Sequence, residues 1–150
     1  PFSALDPLIR REMQNEFLRL QTLLKKTIVF ITHDFEEAIR LGDRIGIMKD
    51  GRLVQLATPE DMVTAPADDY VREFTKNAPR DHIITLARIA MPARKVVGGE
   101  PLQGSLKIGE AAARVLASDL PIAVVGADGE PLGAVGRTEM IAALYPDEAP

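Results

Sequence analysis

The sequence predicts an α/β fold followed by a smaller α+β unit. Three observations carry that prediction: a helix–strand–helix alternation up to residue 41, an Asp-Gly hairpin signal directly after it, and a fresh set of short apolar runs beyond residue 105.

The first helix is opened by Asp6-Pro7. An aspartate can accept hydrogen bonds from free helix N–H groups, and a proline at the first helical position has no N–H to leave unpaired. Leu8, Ile9, Met13, Phe17, Leu20 and Leu24 recur at helical spacing on one face, with Arg10, Arg11, Glu12, Gln14 and Asn15 on the other. Residues 7–26 therefore read as an amphipathic helix. Thr27-Ile28-Val29-Phe30-Ile31 follows, apolar on both faces and rich in β-branched residues. Such a run predicts an internal strand of a covered, parallel sheet. Thr32-His33-Asp34 stands at its carboxyl end, and Asp34 with Glu37 forms an approximate capping box for a helix over Phe35–Leu41 that Gly42 can end.

Two short strands, 44–48 and 52–57, are expected next, because Asp50-Gly51 supplies the positive backbone angles of a tight turn. Thr58-Pro59-Glu60-Asp61 starts a short helix, and residues 68–76 read as another. Residues 79–105 hold Pro79, Pro92, Pro101 and Gly98-Gly99 with patchy periodicity, which predicts a linker or loosely ordered connection. The segment from Lys76 to Lys95 is locally basic, with Lys76, Arg80, Arg88, Arg94 and Lys95 against Asp81. Beyond it, Ile108, Ala112, Val115 and Leu116 mark a helix face, 121–125 a strand, 127–130 a hairpin turn, 132–135 the return strand and 137–144 a closing helix.

Composition narrows the class. The 150 residues are 46% apolar and 27% charged, which describes a globular chain rather than a disordered one. No stretch reaches the roughly 18 uncharged apolar residues of a membrane helix. Without cysteine there is no disulfide framework and no thiolate metal site, which fits a reducing cytoplasm. A net charge of −4 argues against nucleic acid as a partner. The chain opens on Pro1-Phe2 without an initiator methionine, so it is expected to begin within a longer protein.

Two segments resemble a known family. Pro1-Phe2-Ser3-Ala4-Leu5-Asp6-Pro7 and Ile28-Val29-Phe30-Ile31-Thr32-His33-Asp34 are similar to the D-loop and the switch loop of ABC ATPases, separated by one helix and one strand as in that family. Asp43-Arg44-Ile45, Met48-Lys49-Asp50-Gly51 and Thr58-Pro59 extend the resemblance, which spans residues 1–77. It implies that residues 1–78 are the C-terminal part of an ABC-type P-loop NTPase domain, with 79–105 as linker. Residues 106–146 resemble one CBS motif by element order and by Leu132-Gly133-Ala134-Val135-Gly136-Arg137-Thr138-Glu139-Met140.

The resemblance implies specific roles. His33 is the catalytic candidate, an imidazole donating to a terminal phosphate oxygen at a strand's carboxyl end, where open α/β sheets bind ligands. An isolated Thr-His-Asp would be an ordinary surface histidine beside a cap; the Ser-Ala-Leu-Asp segment upstream changes that reading. Ser3, Ala4, Leu5 and Asp6 would contact the opposing subunit of an ATP-sandwich homodimer, a role compatible with capping. Asp34 is assigned to capping, and Glu36 and Glu37 to the solvated and capping faces. Glu139 is the candidate ligand contact of the CBS-like unit, although Gly136 replaces the hydroxyl residue such modules use, so a purely structural dimerisation unit is the stronger expectation there.

ATP and Mg2+ are the implied cofactors, held mainly by parts outside this chain. No G-x-x-x-x-G-K-[ST] loop is present, since Glu110 follows Gly104–Gly109 where lysine belongs, and no signature motif is present either. The chain alone is not expected to hold Mg-ATP productively, and no metal site of its own is expected. An ABC ATPase with such a tail is similar to the ATP-binding subunit of glycine betaine/proline-type importers. That implies a membrane permease subunit, an indirect periplasmic or extracellular substrate-binding protein, and a peripheral place on the cytoplasmic face of the membrane. The basic stretch is read as solvated linker in preference to an ionic-strength sensor. An ATPase for amino-acid-type cargo and a non-catalytic CBS regulatory module are the competing readings.

Overall fold

The computed structural model describes residues 6–92 and 97–146. The chain divides into two compact units. One runs to Met62 and takes in Pro66–Lys76, and the other comprises Val63–Ala65 and the chain from Asn77 onward.

In the first unit α1 spans Pro7–Leu24, with Asp6 as N-cap accepting from the Leu8 N–H. It ends on Lys25 in the left-handed conformation. The helix forms as its sequence expects, but its apolar face is open: Leu8, Ile9, Met13, Leu20 and Leu24 are exposed, and the buried residue of α1 is Gln14.

The strand expected over 27–31 is not formed. The two sheets among the described residues lie elsewhere, and Val29 and Ile31 are 88% and 85% exposed. An internal strand needs neighbours on both edges to pair its N–H and C=O groups; what this run does show is the Phe30 ring against Phe17, with centroids 6.1 Å apart. The first unit accordingly has no parallel sheet among its described residues.

Its core gathers around a hairpin. α2 (Phe35–Leu41) precedes β1 (Ile45–Lys49), which pairs antiparallel with β2 (Arg52–Ala57). Ile45 and Ile47 alternate inward on β1 and meet Met62 of α3 (Pro59–Thr64) and Val71 of α4 (Asp69–Thr75), with Phe35, Ile39, Val54 and Tyr70 packed around them. Phe35 meets Phe74 edge-on at 5.5 Å. The caps follow the sequence: Asp68 accepts from the Val71 N–H and Thr58 Oγ1 from the Asp61 N–H.

Asp50 and Gly51 both have positive φ, 49° and 75°, as a two-residue type I′ turn requires. A Cβ on Gly51 would meet nothing within 4 Å, so Gly51→Ala carries a conformational cost alone. It is expected to destabilise the hairpin unit by about 1 kcal/mol, read as a lowered unfolding midpoint.

The second unit starts earlier than its sequence suggests. The stretch expected as a loosely ordered connection carries α5 (Arg80–Ile83), α6 (Leu86–Ile89) and β3 (Leu102–Gln103), and Ile83, Ile84 and Leu86 are buried. The prolines mislead because they punctuate elements here instead of dissolving them. Pro79 is the N-cap of α5 and Pro92 stands beyond the end of α6. Backbone bonds from Leu86 N to Leu106 O, Ala87 N to Gly104 O and Ile108 N to Ile84 O bind the stretch to residues 104–108.

The remaining elements are α7 (Ile108–Ala117), β4 (Ile122–Val125), β5 (Pro131–Val135) and α8 (Arg137–Leu144). β4 is central, parallel to β3 and antiparallel to β5. Ile108, Val115, Val124, Val135 and Met140 are, with Ile84 and Leu86, fully buried side chains of this unit. The basic stretch is partly committed: Arg80 donates to the carbonyls of Ala143 and Val63, and Arg88 to Thr64 Oγ1. Arg94 and Lys95 lie outside the described residues.

Candidate functional site

The site is built from the turn that leads into α2. Thr32 Oγ1 accepts from the Asp34 N–H at 3.0 Å, and Asp34 Oδ1 accepts from the Glu37 N–H at 3.1 Å. Two short polar side chains thus fold the backbone around His33 and cap the helix at once. His33 itself is exposed, so its ring is open to a partner at the helix start. An exposed imidazole on a backbone fixed from both sides suits a single hydrogen bond to a phosphate oxygen.

Asp34 caps as expected. Glu37, expected as the reciprocal cap, instead turns its carboxylate to α1: it is 6% exposed, and its Oε1 accepts from Gln14 Nε2 at 3.1 Å. Only half of the expected capping box is formed, because α1 packs over this carboxylate and supplies a better-buried partner than the N-cap N–H. Next to this pair, Arg40 Nη2 donates to Asn15 Oδ1 at 2.6 Å. Gln14 is the residue that sequence reasoning missed. It follows Met13 among polar neighbours, and periodicity alone gives no signal separating it from Gln21.

Ser3, Ala4 and Leu5 lie outside the described residues. Asp6 is exposed and its carboxylate caps α1. It stands in the same compact unit as His33, on the helix that Gln14 and Asn15 tie to α2. Glu139 belongs to the other unit, where its Oε2 accepts from the Gly136 N–H at 2.9 Å and caps α8. The failed phosphate-loop match has a structural use of its own. Gly104 lies so close to Leu132 and Ala87 that a Cβ would meet them at 2.6 and 3.1 Å, and Gly109 falls inside α7.

Among the described residues no group of three or more His, Asp or Glu side chains could hold a metal ion. No helix among them is long and apolar enough to cross a membrane.

No protein-family model matches the chain. Individual relatives do. It is 44% identical over 149 residues, 99% of its length, to the trimethylamine N-oxide transport system ATP-binding protein TmoW of Pelagibacter ubique. It is 49% identical over 139 residues, 91% of its length, to the protein of the same name from Ruegeria pomeroyi. With the glycine betaine/proline betaine transport system ATP-binding protein ProV of Escherichia coli it shares 51% identity over 89 residues, 59% of the chain. The chain spans less than half of these relatives, 44%, 40% and 22% of their respective lengths. Identity of this order over nearly the whole chain means that it belongs to the family of ABC transport ATP-binding subunits.

Proposed function

We propose that this chain is the part of an importer's ATPase subunit that carries the switch histidine and the dimer-contacting loop, and that the intact subunit powers uptake of small methylated amines. The observation that carries the reading is the His33 turn, an exposed imidazole between two backbone-fixing hydrogen bonds at the start of α2. Phosphoryl transfer depends on positioning and on electrostatic stabilisation, which a fixed donor supplies without reorganising.

Bound ATP would supply the transferable phosphoryl group, with Mg2+ neutralising its charge. His33 would contact the terminal phosphate, and the bulk of nucleotide binding would fall to a glycine-rich loop elsewhere in the intact protein. Ser3, Ala4, Leu5 and Asp6 would face a second copy of the subunit. The apolar face of α1 and the extended run Ile28–Ile31 suit cover by further strands and helices of the same NTPase domain. A permease subunit, a substrate-binding protein reached through it and a peripheral place on the cytoplasmic face of the membrane complete the assembly.

The second unit we read as a CBS-like module. Support comes from its order β3, α7, β4, β5, α8, and from a central β4 with one parallel and one antiparallel neighbour. Its Glu139 carboxylate already accepts the Gly136 N–H, which favours a structural, dimerising role over adenosyl binding. A role for the basic stretch as ionic-strength sensor is not favoured, because Arg80 and Arg88 are engaged within the unit.

For the cargo, support comes from how far each relative aligns. The two trimethylamine N-oxide relatives match 99% and 91% of the chain, and the glycine betaine relative 59%. This favours an N-oxide of a methylated amine over a quaternary amine. The test is ATP hydrolysis by the complete transporter in vesicles with its binding protein. Trimethylamine N-oxide is expected to stimulate turnover at lower concentration than glycine betaine. The reverse order would move the cargo to the quaternary amines, and stimulation by neither would remove the methylated-amine reading.

A further inference from the structure

The pair Gln14–Glu37 has a placement that simple stability does not require. Both residues are 6% exposed, they lie 23 positions apart, and they join α1 to α2 at 3.1 Å. Burying a carboxylate is costly unless hydrogen bonds repay it, and an apolar pair of similar shape would fill the space without that cost. The polar pair lies between α1, which Asp6 caps, and the His33 turn. α1 carries Asp6 at its start, and α2 carries the His33 turn at its own.

Successive hydrogen bonds link Gln14 of α1 to the His33 turn. Gln14 Nε2 donates to the Glu37 carboxylate, the Glu37 N–H donates to Asp34 Oδ1, and the Asp34 N–H donates to Thr32 Oγ1, with His33 between the last two. One turn further along α2, Arg40 donates to Asn15, the neighbour of Gln14. Two adjacent positions of α1 thus hold two positions a turn apart on α2, which fixes both the spacing and the rotation of one helix against the other.

We infer that Gln14 and Glu37 are positioning residues that lock α1 to the His33 turn, so that displacement of α1, with Asp6 at its head, is transmitted to the imidazole. This rests on the switch-histidine reading above. Neither residue touches nucleotide. Their effect is to hold the His33 backbone where the imidazole meets the terminal phosphate only when α1 is seated, which couples the subunit contact to hydrolysis.

The test uses the full-length ATPase subunit assembled with its permease, comparing Gln14→Leu, the exchanged pair Gln14→Glu with Glu37→Gln, and His33→Ala. Gln14→Leu is expected to lower kcat roughly 10- to 100-fold, the scale of a catalytic group displaced by about 1 Å. KM for ATP should stay within about twofold, since uniform nucleotide binding is untouched. The exchanged pair restores the bond with donor and acceptor reversed and should recover kcat to within about threefold, a rescue that general destabilisation would not give. Should Gln14→Leu not fold, Gln14→Asn shortens the same side chain by one methylene and carries the same expectation. Unchanged kcat in the single variants, or an exchanged pair no better than they are, overturns the inference. If His33→Ala abolishes turnover while Gln14→Leu does not, the lock alone fails. If His33→Ala leaves turnover intact, the switch-histidine reading fails with it.

Discussion

Replacing His33 by alanine in the full-length subunit is expected to lower ATP turnover by about 10²–10³-fold, the usual loss on removing one preorganised donor from developing phosphoryl charge. ATP affinity should change little, because most contacts to the nucleotide would come from residues other than His33. The substitution is clean in structural terms. The bonds that shape the turn run from Asp34 N to Thr32 Oγ1 and from Glu37 N to Asp34 Oδ1, and neither uses the imidazole. The ring is exposed, so folding stability should move by no more than about 0.5 kcal/mol. Phosphate release under steady state, measured beside titration with a fluorescent ATP analogue, separates the two quantities. Turnover within a fewfold of the parent would show that the exposed ring is an ordinary surface histidine.

The second large effect concerns folding. Leu86→Ala is expected to destabilise the second unit by about 2–5 kcal/mol, the range for truncating a fully buried leucine. Leu86 is 0% exposed at the start of α6, and its N–H pairs with Leu106 O. Alanine keeps that backbone bond, so the loss measures packing alone. Domain stabilities are about 5–15 kcal/mol, so such a change would visibly open the unit to hydrogen exchange over β3, β4 and β5. Met91→Ala is the control. Its side chain is exposed while its backbone pairs with Ala134, and it should cost no more than about 0.5 kcal/mol. Equal, small effects from both would restore the view of this stretch as a loose connection.

Caps and turns were legible because they are local. Asp6, Asp34, Thr58 and Asp68 each satisfy a helix N–H within three residues, and Asp50-Gly51 needs only its own backbone angles. At α8 the sequence marked the helix but not its cap, which Glu139 supplies by reaching back to Gly136. The His33 turn was found through residues adjacent in sequence, and its hydrogen bonds span no more than three positions.

The misreadings all concern partners far along the chain. Ile28–Ile31 has the composition of a buried strand, yet β-branched apolar character says only that a segment would pack well in a sheet. Whether it does depends on edges that neighbours must supply. The stretch after Pro79 failed in the opposite sense: it lacks periodicity because its helices are a single turn each, and it is ordered by residues 104–108 and by β5 instead. Glu37 read as the reciprocal half of a capping box because its spacing from Asp34 fits one, and nothing local announces Gln14, 23 positions away, as its partner.

From its sequence alone, this chain has the starts of its helices outside residues 79–105, its hairpin turn, the position of the candidate histidine and its kinship with transport ATPases, since each is written in residues that interact nearby or align directly. Tertiary structure alone decided that Gln14 buries against Glu37, that the apolar face of α1 stays open, and that residues 80–92 belong to the second unit. The physical reason is range. A cap or turn is settled by bonds across a few residues, whereas burial and pairing are settled by whichever distant surface arrives, and no local pattern encodes that surface.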